Sequence, residues 1–337
     1  MALNKIIVVG ASCGGIEAFR EVVKGFPADL AAAIFFVLHI SPEGTSYLPN
    51  ILTRSGKLGA LHPKDGEPIR PGVIYVAPPD HHLLVHWGFV RVVRGPRENR
   101  HRPAIDPLFR SAARWYRERV IGVVLSGSLD DGSAGLRTIH QQGGITIVQD
   151  PEDAICPSMP RNAMENVKPD HRLAASEIAP MLVRLAARPA FTTKEAASAA
   201  SLENDLKFAE FDMATIENEE NPGKPSAFAC PECHGVLWEI RDDEMLRFRC
   251  RVGHAYTATT LLEEQMHSME GSLWEALRAL EESAALARRM ASQIKGRHGA
   301  ASARYEQDAE SKEKHAAFLR EMLLKTNGRQ SKEPKIA

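Results

Sequence analysis

The first 187 residues alternate between apolar runs and segments with helical spacing. Continuous apolar runs rich in β-branched residues predict buried strands at residues 5–9, 33–38, 120–125 and 145–149. Apolar residues at intervals of three or four predict helices at residues 16–24, 106–116, 133–142 and 178–187. Shorter strands are predicted at residues 73–78, 83–86 and 89–93, the last two joined as a hairpin through Trp87-Gly88. This alternation implies an α/β domain with a doubly wound, mostly parallel sheet flanked by helices.

The rest of the chain changes character several times. An Ala-, Ser-, Glu- and Pro-rich stretch indicates a linker, with room for short helices. A cysteine cluster follows, and then Leu- and charge-rich residues with helical spacing that predict a helical hairpin. The leucine stripe at residues 261–286 is a helix-packing face that also offers a surface for self-association. The expected divisions are residues 1–187, linker 188–227, cysteine module 228–256, helical hairpin 257–326 and flexible tail 327–337.

Composition narrows the class of protein. The 337 residues are 44% hydrophobic and 25% charged, which is ordinary for a globular chain of about two domains plus connectors. Lys and Arg total 42 against 43 Asp and Glu, and this balance argues against a nucleic-acid partner. The longest apolar stretch, residues 30–38, is far shorter than the ~20 residues that span a bilayer. Since the N-terminal residues do not resemble a secretory signal either, we expect a cytoplasmic protein without a membrane span.

Three polar residues follow predicted strands of the first domain. Ser12 stands in a Gly-rich turn after the first strand, His39 follows the second, and Asp131 lies in a Gly-rich turn after residues 120–125. In open α/β sheets, sites form outside the carboxyl ends of the strands. A Ser, a His and an Asp placed there are candidates for a nucleophile, a base and the residue that orients the base. The backbone N–H of Cys13, at the start of a helix, would point toward a developing oxyanion.

Each of these pieces also has a simpler interpretation. A Gly-rich turn after a first strand often binds a dinucleotide phosphate, a lone His is more often structural, and an Asp in such a turn usually caps a helix. The dinucleotide hypothesis lacks an acidic residue at the end of the second strand, where His39 stands instead. The shared sheet edge favours the hydrolase. Asp130 is the alternative acid, but the position directly before Gly132 favours Asp131.

At these residues the chain resembles the catalytic domain of the CheB-type protein-glutamate methylesterases. The resemblance covers about residues 4–187 and rests on residues 10–15, 38–39, 65–67, 75–78, 99–103 with Asp106, 125–132 and 159–161. It implies that Ser12 is the nucleophile, His39 the general base and Asp131 the orienting acid. His101 and Arg102 would lie near the site mouth as candidates for substrate binding.

The resemblance also implies a reaction. The enzyme would hydrolyse γ-glutamyl methyl esters on chemoreceptor-like proteins to glutamate and methanol, with glutamine deamidation as a related activity and no cofactor for catalysis. Cys13, Leu38 and Ser128 stand where the family usually has Thr, Gln and Met. Backbone N–H groups would therefore supply the oxyanion hole, with Ser128 as a second candidate beside Cys13.

Control and the alternative function complete the expectation. Family members typically carry a receiver domain before the esterase, and the first catalytic strand here begins at residue 5, so we expect that control to be absent. The alternative to an esterase is an interaction or regulatory protein with little or no activity that works through its C-terminal zinc and helical module.

The cysteine cluster has the spacing of a metal site. Cys230 and Cys233 form one close pair of ligands, and Cys250 and His254 form another sixteen residues later. Two such pairs at the ends of a short hairpin predict a closed, structural zinc site that supplies much of the folding free energy of a small module. The hairpin strands would be residues 236–240 and 245–249, with the turn at Asp242-Asp243.

Other roles for the cysteines stay open. A redox pair of Cys230 and Cys233 would leave Cys250 and His254 without a function, and His234 competes as a ligand. Five cysteines with three in one cluster do not suggest a disulfide framework. Cys13 is either oxidisable or a small residue tolerated beside the nucleophile, and Cys156 has no partner that the sequence identifies.

Overall fold

The computed structural model describes residues 4–188, 200–210, 223–242 and 245–330. The strands in chain order are β1 Lys5–Ala11, β2 Ala32–Leu38, β3 Gly59–Leu61, β4 Val73–Val76, β5 His82–Val85, β6 Val90–Val93, β7 Val120–Val124, β8 Ile145–Gln149, β9 His171–Leu173, β10 Lys224–Ala229, β11 Val236–Asp242, β12 Met245–Cys250 and β13 Ala255–Thr257. The helices are α1 Gly15–Lys24, α2 Leu48–Ser55, α3 Ile105–Tyr116, α4 Ser133–Gln141, α5 Ser158–Asn166, α6 Ala175–Ala186, α7 Ala200–Ala209, α8 Ala258–Ile294 and α9 Gly299–Gln330.

A seven-stranded parallel sheet organises the N-terminal part of the described chain. Its strand order is β3-β4-β2-β1-β7-β8-β9, and every neighbouring pair is parallel. The chain leaves β1 toward β2 on one side and comes back to β7 on the other, so the order reverses between β1 and β7. That reversal is where open α/β sheets place their sites. The predicted doubly wound fold is therefore confirmed, with the predicted hairpin formed by β5 and β6.

The two faces of the sheet explain why its strands are continuously apolar. All seven residues of β1 are buried. Ile7 and Val9 pack into one core with Phe19 of α1, whereas Ile6 and Val8 pack into a second core on the opposite face. A parallel sheet covered by helices on both sides has no solvent face, so its strands lose the apolar–polar alternation of a surface strand.

Four elements of this domain were absent from the sequence prediction. They are the helices α2 and α5 and the strands β3 and β9. Both strands have three residues and no fully buried position, which leaves little periodicity to detect. Each is the outermost strand of the sheet, so they close its edges without carrying its core.

The cysteine module is larger than the predicted hairpin. β10, β11, β12 and β13 form a four-stranded antiparallel sheet that begins at Lys224, inside the segment predicted as linker, and ends at Thr257. The segment predicted as linker also contains α7, while residues 189–199 and 211–222 lie outside the described residues. The predicted turn at Asp242-Asp243 lies partly outside them, since residues 243–244 are not described.

A helical hairpin of α8 and α9 forms most of a second compact unit, from residue 262 onward. Leu277, Ala316 and Leu323 are buried together between the two helices, and Arg288 pairs with Glu313 at 2.6 Å. α9 continues to Gln330, beyond the predicted start of the tail at residue 327, and residues 331–337 lie outside the described part.

The leucine stripe of α8 is divided between interior and surface. Leu261 and Leu277 are buried, whereas Leu262, Met266 and Leu286 are exposed. Self-association through these helices stays a prediction. No helix in the described part of the chain is both long and apolar enough to cross a membrane.

Candidate active site

Ser12 lies in the tight turn between β1 and α1, at the point where the sheet order reverses. Its backbone N–H donates to the carbonyl of Ser126 (2.9 Å), at the end of β7, and its carbonyl accepts the N–H of Gly15 (2.9 Å). Gly14 takes a left-handed conformation (φ 69°), which a side chain would strain, and thereby turns the chain into α1. The Ser12 hydroxyl is not hydrogen-bonded to Nδ1 of His39, which has no partner among the described residues.

Gly127, in the turn after β7, packs closely against Ser12. A Cβ added to Gly127 would lie 3.0 Å from the Cβ of Ser12 and 2.7 Å from the Cε of Met159. A side chain at position 127 would therefore displace the Ser12 side chain or Met159. The glycines of both turns serve the placement of one serine, which is half-buried at the sheet edge.

His39 connects the Ser12 turn to Asp131. Its backbone N–H donates to the carbonyl of Ala11 (3.2 Å), the residue before Ser12. Its ring Nε2 lies 2.7 Å from Oδ2 of Asp131, and both side chains are buried. Because an ionised carboxylate only accepts, Nε2 carries a proton, and in the neutral ring Nδ1 then holds the lone pair. Nδ1 is buried without a partner among the described residues, so it is the ring nitrogen left to accept a proton.

The Asp131 carboxylate is held by five hydrogen-bond donors. Besides His39, it accepts the N–H groups of Ile105 (2.7 Å), Asp106 (3.3 Å) and Gly132 (3.0 Å) and the side-chain amide of Asn99 (3.0 Å). Burial alone would raise the pKa of Asp131, but the hydrogen bond and charge of His39, together with the Ile105 N–H and Asn99, lower it well below its usual value. Asp131 is therefore an ionised acceptor at the N-terminus of α3, where the helix dipole favours negative charge.

A second buried carboxyl group beside Asp131 has the opposite protonation tendency. Burial and the negative charge of Asp131 raise the pKa of Asp106 to about 7. Its carboxyl group receives the Gly135 N–H (2.6 Å) and the Asn99 amide (3.1 Å). Two adjacent buried carboxyl groups that titrate far apart leave a single negative charge facing His39 below neutral pH.

His101 lies directly against His39. The two rings stack with centroids 3.5 Å apart and planes inclined by 10°. Burial, followed by repulsion from His39, lowers the pKa of His101 to about 3. His101 is therefore neutral at physiological pH and adds no positive charge that would oppose protonation of His39.

The structure separates the other predicted residues. Asp130 points away from His39 and accepts the hydroxyls of Thr257 and Thr260, each at 2.8 Å. Burial raises the pKa of Asp130. Ser128 is exposed in the same turn. The guanidinium of Arg102 donates to Asp80 and to the Gly95 carbonyl (2.7 Å), so these bonds hold it away from His39.

Cys13 and Cys156, which the sequence left unpaired, form a disulfide with their Cα atoms 5.9 Å apart. Their 143-residue separation offers no local pattern from which the pairing could be read. The carbonyl of Cys156 also accepts the N–H of Gly127 (2.9 Å), so this segment closes over the two turns that meet at Ser12. No backbone carbonyl among the described residues accepts the N–H of Cys13.

Four side chains of the C-terminal sheet meet as the cysteine spacing predicts. The donor atoms of Cys230, Cys233, Cys250 and His254 all lie within 4.8 Å of one another. Nδ1 of His254 is 3.7 Å from Sγ of Cys230 and 3.6 Å from Sγ of Cys250, and the sulfurs of Cys233 and Cys250 are 3.6 Å apart. His234, the competing ligand, is exposed with φ 60° and lies outside the group.

Two residues that sequence reasoning did not single out join the two sheets at this site. Asn99 contacts Asp131, and its Oδ1 accepts the backbone N–H of Thr257 at 3.0 Å. Asn99 belongs to the stretch 99–103 that carried part of the resemblance, but nothing in the sequence indicated a contact with Thr257, 158 residues away.

Comparison with known proteins agrees with this geometry. A profile of the family described as CheB methylesterase matches residues 7–182, just over half of the chain. The protein-glutamate methylesterase/protein-glutamine glutaminase of Maricaulis maris is 36% identical over 189 residues, which are 55% of this chain and 47% of that protein. A shorter relative from Leptospira interrogans is 36% identical over 180 residues, 53% of this chain and 93% of its own length.

A solved structure shows the same fold. The Thermotoga maritima CheB methylesterase catalytic domain superimposes with a TM-score of 0.53 at 31% identity, over 54% of this chain and 98% of that domain. The residues matched by the family profile, 7–182, include Ser12, His39 and Asp131. The chain therefore belongs to the CheB methylesterase family.

Proposed function

We propose that this protein is a serine hydrolase that cleaves glutamate γ-methyl esters on chemoreceptor-like proteins and also deamidates glutamine. The observation that carries the proposal is the buried pair of His39 and Asp131 beside Ser12 at the reversal of the sheet. In this pair the lone pair of Nδ1 is free of other partners among the described residues. A serine, an oriented histidine and a buried carboxylate are the groups that acyl transfer needs.

The residues support a two-step reaction. The Ser12 Oγ attacks the ester carbonyl while Nδ1 of His39 takes the hydroxyl proton, and Asp131 stabilises the resulting imidazolium. The tetrahedral intermediate expels methanol, which leaves with the proton from His39. Water then attacks the acyl-enzyme with His39 as base, which restores Ser12 and yields glutamate. With a glutamine side chain, ammonia leaves in place of methanol.

The oxyanion needs donors that are already in place. The Cys13 N–H is not accepted by any described backbone carbonyl and follows Ser12 directly, so we assign it to the oxyanion. Ser128, exposed in the neighbouring turn, stays a second candidate. We assign His101 to the wall of the pocket, where its neutral ring supports His39. Arg102 is assigned a structural role because its guanidinium is bound by Asp80 and Gly95.

Apolar side chains near the site support a protein substrate. Ile155 is 64% exposed next to Gly14, Tyr47 is 67% exposed and Ile16 is 38% exposed. Ile16 and Tyr47 line a cleft of about 250 Å³ beside His39, together with Leu38 and Ile40. An exposed apolar surface around a reactive serine fits a macromolecular substrate such as a receptor helix.

Methanol release from methylated chemoreceptor membranes tests the proposal. We expect release by the native protein and its loss in Ser12→Ala. The matched control is Ser55→Ala, whose hydroxyl bonds only within α2 (2.8 Å to the Ile51 carbonyl), and it should retain full activity. Equal release by native protein and Ser12→Ala would contradict the nucleophile. Ser12-dependent hydrolysis of a simple phenyl ester without methanol release would support a serine hydrolase of another substrate class.

We further propose that Cys230, Cys233, Cys250 and His254 hold one structural Zn²⁺. With zinc–ligand bonds of about 2.0–2.3 Å, the edges of a tetrahedron are roughly 3.4–3.8 Å. The observed donor separations of 3.6 and 3.7 Å match those edges. Nε2 of His254 pairs with Glu232 at 3.2 Å, the carboxylate partner that commonly orients a zinc-bound histidine.

Metal analysis tests the zinc site. We expect about one equivalent of Zn per chain in protein purified without chelator. Cys250→Ser should lower that content, while Cys156→Ser, a cysteine outside the cluster, should leave it unchanged. Equal zinc content in Cys250→Ser and native protein would contradict the ligand assignment.

A further inference from the structure

The last strand of the C-terminal sheet contacts the segment that leads into α3 and carries Asn99. Thr257, the last residue of β13, donates its backbone N–H to Asn99 Oδ1 at 3.0 Å. In the same region the Asn99 N–H donates to the Ala255 carbonyl at 2.8 Å, and the Ala255 N–H donates to the Arg97 carbonyl at 3.3 Å. β13 is thus hydrogen-bonded to the segment that leads to α3, as an additional strand would be.

Asn99 passes this contact on to the triad. An asparagine amide has one accepting end and one donating end. Because the accepting end is occupied by the Thr257 N–H, the donating end must face the carboxyl groups, where Nδ2 lies 3.0 Å from Asp131 and 3.1 Å from Asp106. The contact with β13 therefore determines that a donor, and not an acceptor, faces Asp131.

A second contact holds the acid loop from its other side. The hydroxyls of Thr257 and Thr260 both donate to Oδ1 of Asp130 at 2.8 Å. Asp130 is the residue before Asp131, so this pair of hydrogen bonds restrains the backbone that carries the triad acid. All of these side chains are buried, so water does not compete for the donors and acceptors.

Buried charges keep the two parts together. Arg249 of β12 contacts Glu98, the neighbour of Asn99, at 3.4 Å and Asp205 of α7 at 3.0 Å. Arg247 donates to Asp205 at 2.8 Å and Arg110 of α3 donates to Glu98 at 2.5 Å. Charges buried this fully are tolerated only with their partners in place, so the C-terminal sheet has one favourable position on the catalytic domain.

We infer that the C-terminal sheet is part of the working esterase, with Asn99, Thr257 and Thr260 as positioning residues that orient Asp131 and through it His39. The inference rests on the proposed function for its reaction and adds the means by which the triad is held. None of these three residues touches the substrate. They act through the geometry of the His39–Asp131 hydrogen bond, in which small displacements are costly to rate.

The test compares three variants of the full chain. Asn99→Leu removes both ends of the amide at similar volume, and the double variant Thr257→Val, Thr260→Val removes both hydroxyls that hold Asp130. Thr138→Val is the matched control, because that hydroxyl bonds only to the Ala134 carbonyl within α4 (3.0 Å). Each variant is first checked by thermal melting, so that only folded protein is compared.

Two readouts follow, one of which needs no substrate. We expect kcat for methanol release to fall about 100-fold in Asn99→Leu and about 10-fold in the double variant, with KM unchanged. In ¹⁵N-histidine NMR spectra, His39 should be held in the Nε2–H tautomer in native protein and in Thr138→Val. It should become a mixture of tautomers in Asn99→Leu and in the double variant.

The tautomer measurement separates this inference from the proposed function. The native protein could release no methanol while Asn99→Leu still loses the His39 tautomer preference. That result would support the positioning role and overturn the proposed substrate. Native kcat together with a native tautomer in folded Asn99→Leu and in the folded double variant would overturn the inference.

Discussion

The two sheets of this protein are stabilised by different interactions. The seven-stranded sheet is covered on both faces, and each face has its own large apolar core. The four-stranded sheet has one small core built around Leu237, Phe248 and Tyr256, together with the two buried cysteines of its metal-binding group. Two of its arginines, Arg247 and Arg249, point into a buried ion cluster instead of into solvent.

The difference is consistent with the placement of the proposed catalytic residues on the large sheet and the proposed metal ligands on the small one. Each Å² of buried apolar surface contributes about 25 cal/mol to stability. The two apolar cores can therefore stabilise the large sheet around a buried, ionised Asp131 without a metal. The small sheet buries less apolar surface, so we expect it to depend on the proposed zinc and on its contact with the catalytic domain. Four predictions follow this contrast from the largest expected effect to the smallest.

Removal of the proposed zinc should produce the largest difference in stability between the two sheets. Structural zinc sites contribute about 10 kcal/mol or more to the folding of small modules near neutral pH. After treatment with a chelator, we expect hydrogen exchange in β11 and β12 to rise by orders of magnitude while β1 and β7 stay protected. A chelator already saturated with zinc is the control. Unchanged protection of β12 with the metal removed would contradict a metal-dependent sheet.

Asp131→Asn should remove most of the activity without affecting the fold. An asparagine can present its NH₂ group to His39 and favour the wrong tautomer, which in serine hydrolases costs about 10⁴-fold in kcat. The measurement is steady-state kinetics of methanol release, with circular dichroism to check folding. Asp150→Asn alters an exposed pair with Arg172 and should leave kcat unchanged. Loss of less than about tenfold in Asp131→Asn would argue against Asp131 as the triad acid.

Removing one buried arginine should weaken the contact between the sheets. Arg249→Met leaves Glu98 and Asp205 short of a partner, which should cost about 3–5 kcal/mol in urea unfolding. Arg241 on β11 pairs with Glu239, and its side chain is 76% exposed. Arg241→Met should therefore cost less than about 1 kcal/mol. Equal costs for the two variants would show that the buried cluster adds no stability of its own.

His101, in the domain of the large sheet, should make the free energy of unfolding depend on pH. The pKa of His101 is about 3 in the folded protein and about 6.5 unfolded, so the unfolded state takes up the proton first as pH falls. The stability that neutral His101 provides is present above pH 6.5 and is lost as pH falls toward 3. Between pH 7 and pH 5 we expect native protein to lose about 2 kcal/mol more than His101→Gln.

Urea unfolding at several pH values measures this difference. Comparing the two proteins cancels the acid sensitivity of the metal ligands, which both retain. Parallel pH curves for native protein and His101→Gln would contradict a buried, neutral His101.

Much of the fold could be predicted because it is encoded in short-range patterns. The strands at residues 5–9, 120–125 and 145–149 were recognisable from continuous apolar runs, since both faces of a parallel sheet are covered. The elements α2, β3, α5 and β9 escaped because they are short and partly exposed. The four-stranded sheet was predicted as a hairpin because β10 and β13 have no apolar alternation of their own.

The candidate site divides in the same way. Ser12, His39 and the four candidate metal donors could be proposed from the sequence because each stands at the end of a predictable strand or in a close pair of ligands. The sequence favoured Asp131 over Asp130 by its position before Gly132, and three-dimensional packing agrees, because it directs Asp131 to His39 and Asp130 to two threonines. The same packing withdrew Arg102 toward Asp80 and paired Cys13 with Cys156.

The sequence by itself determined the fold class, the family resemblance, the order of Ser12, His39 and Asp131, and the ligand spacing of the cysteine cluster. These features depend on burial and spacing along a few neighbouring residues. Tertiary structure decided which nitrogen of His39 is free, how Asn99 is oriented, and that Thr257 reaches the acid loop. Those features depend on contacts between residues far apart in the chain, which exist only once the two sheets have packed together.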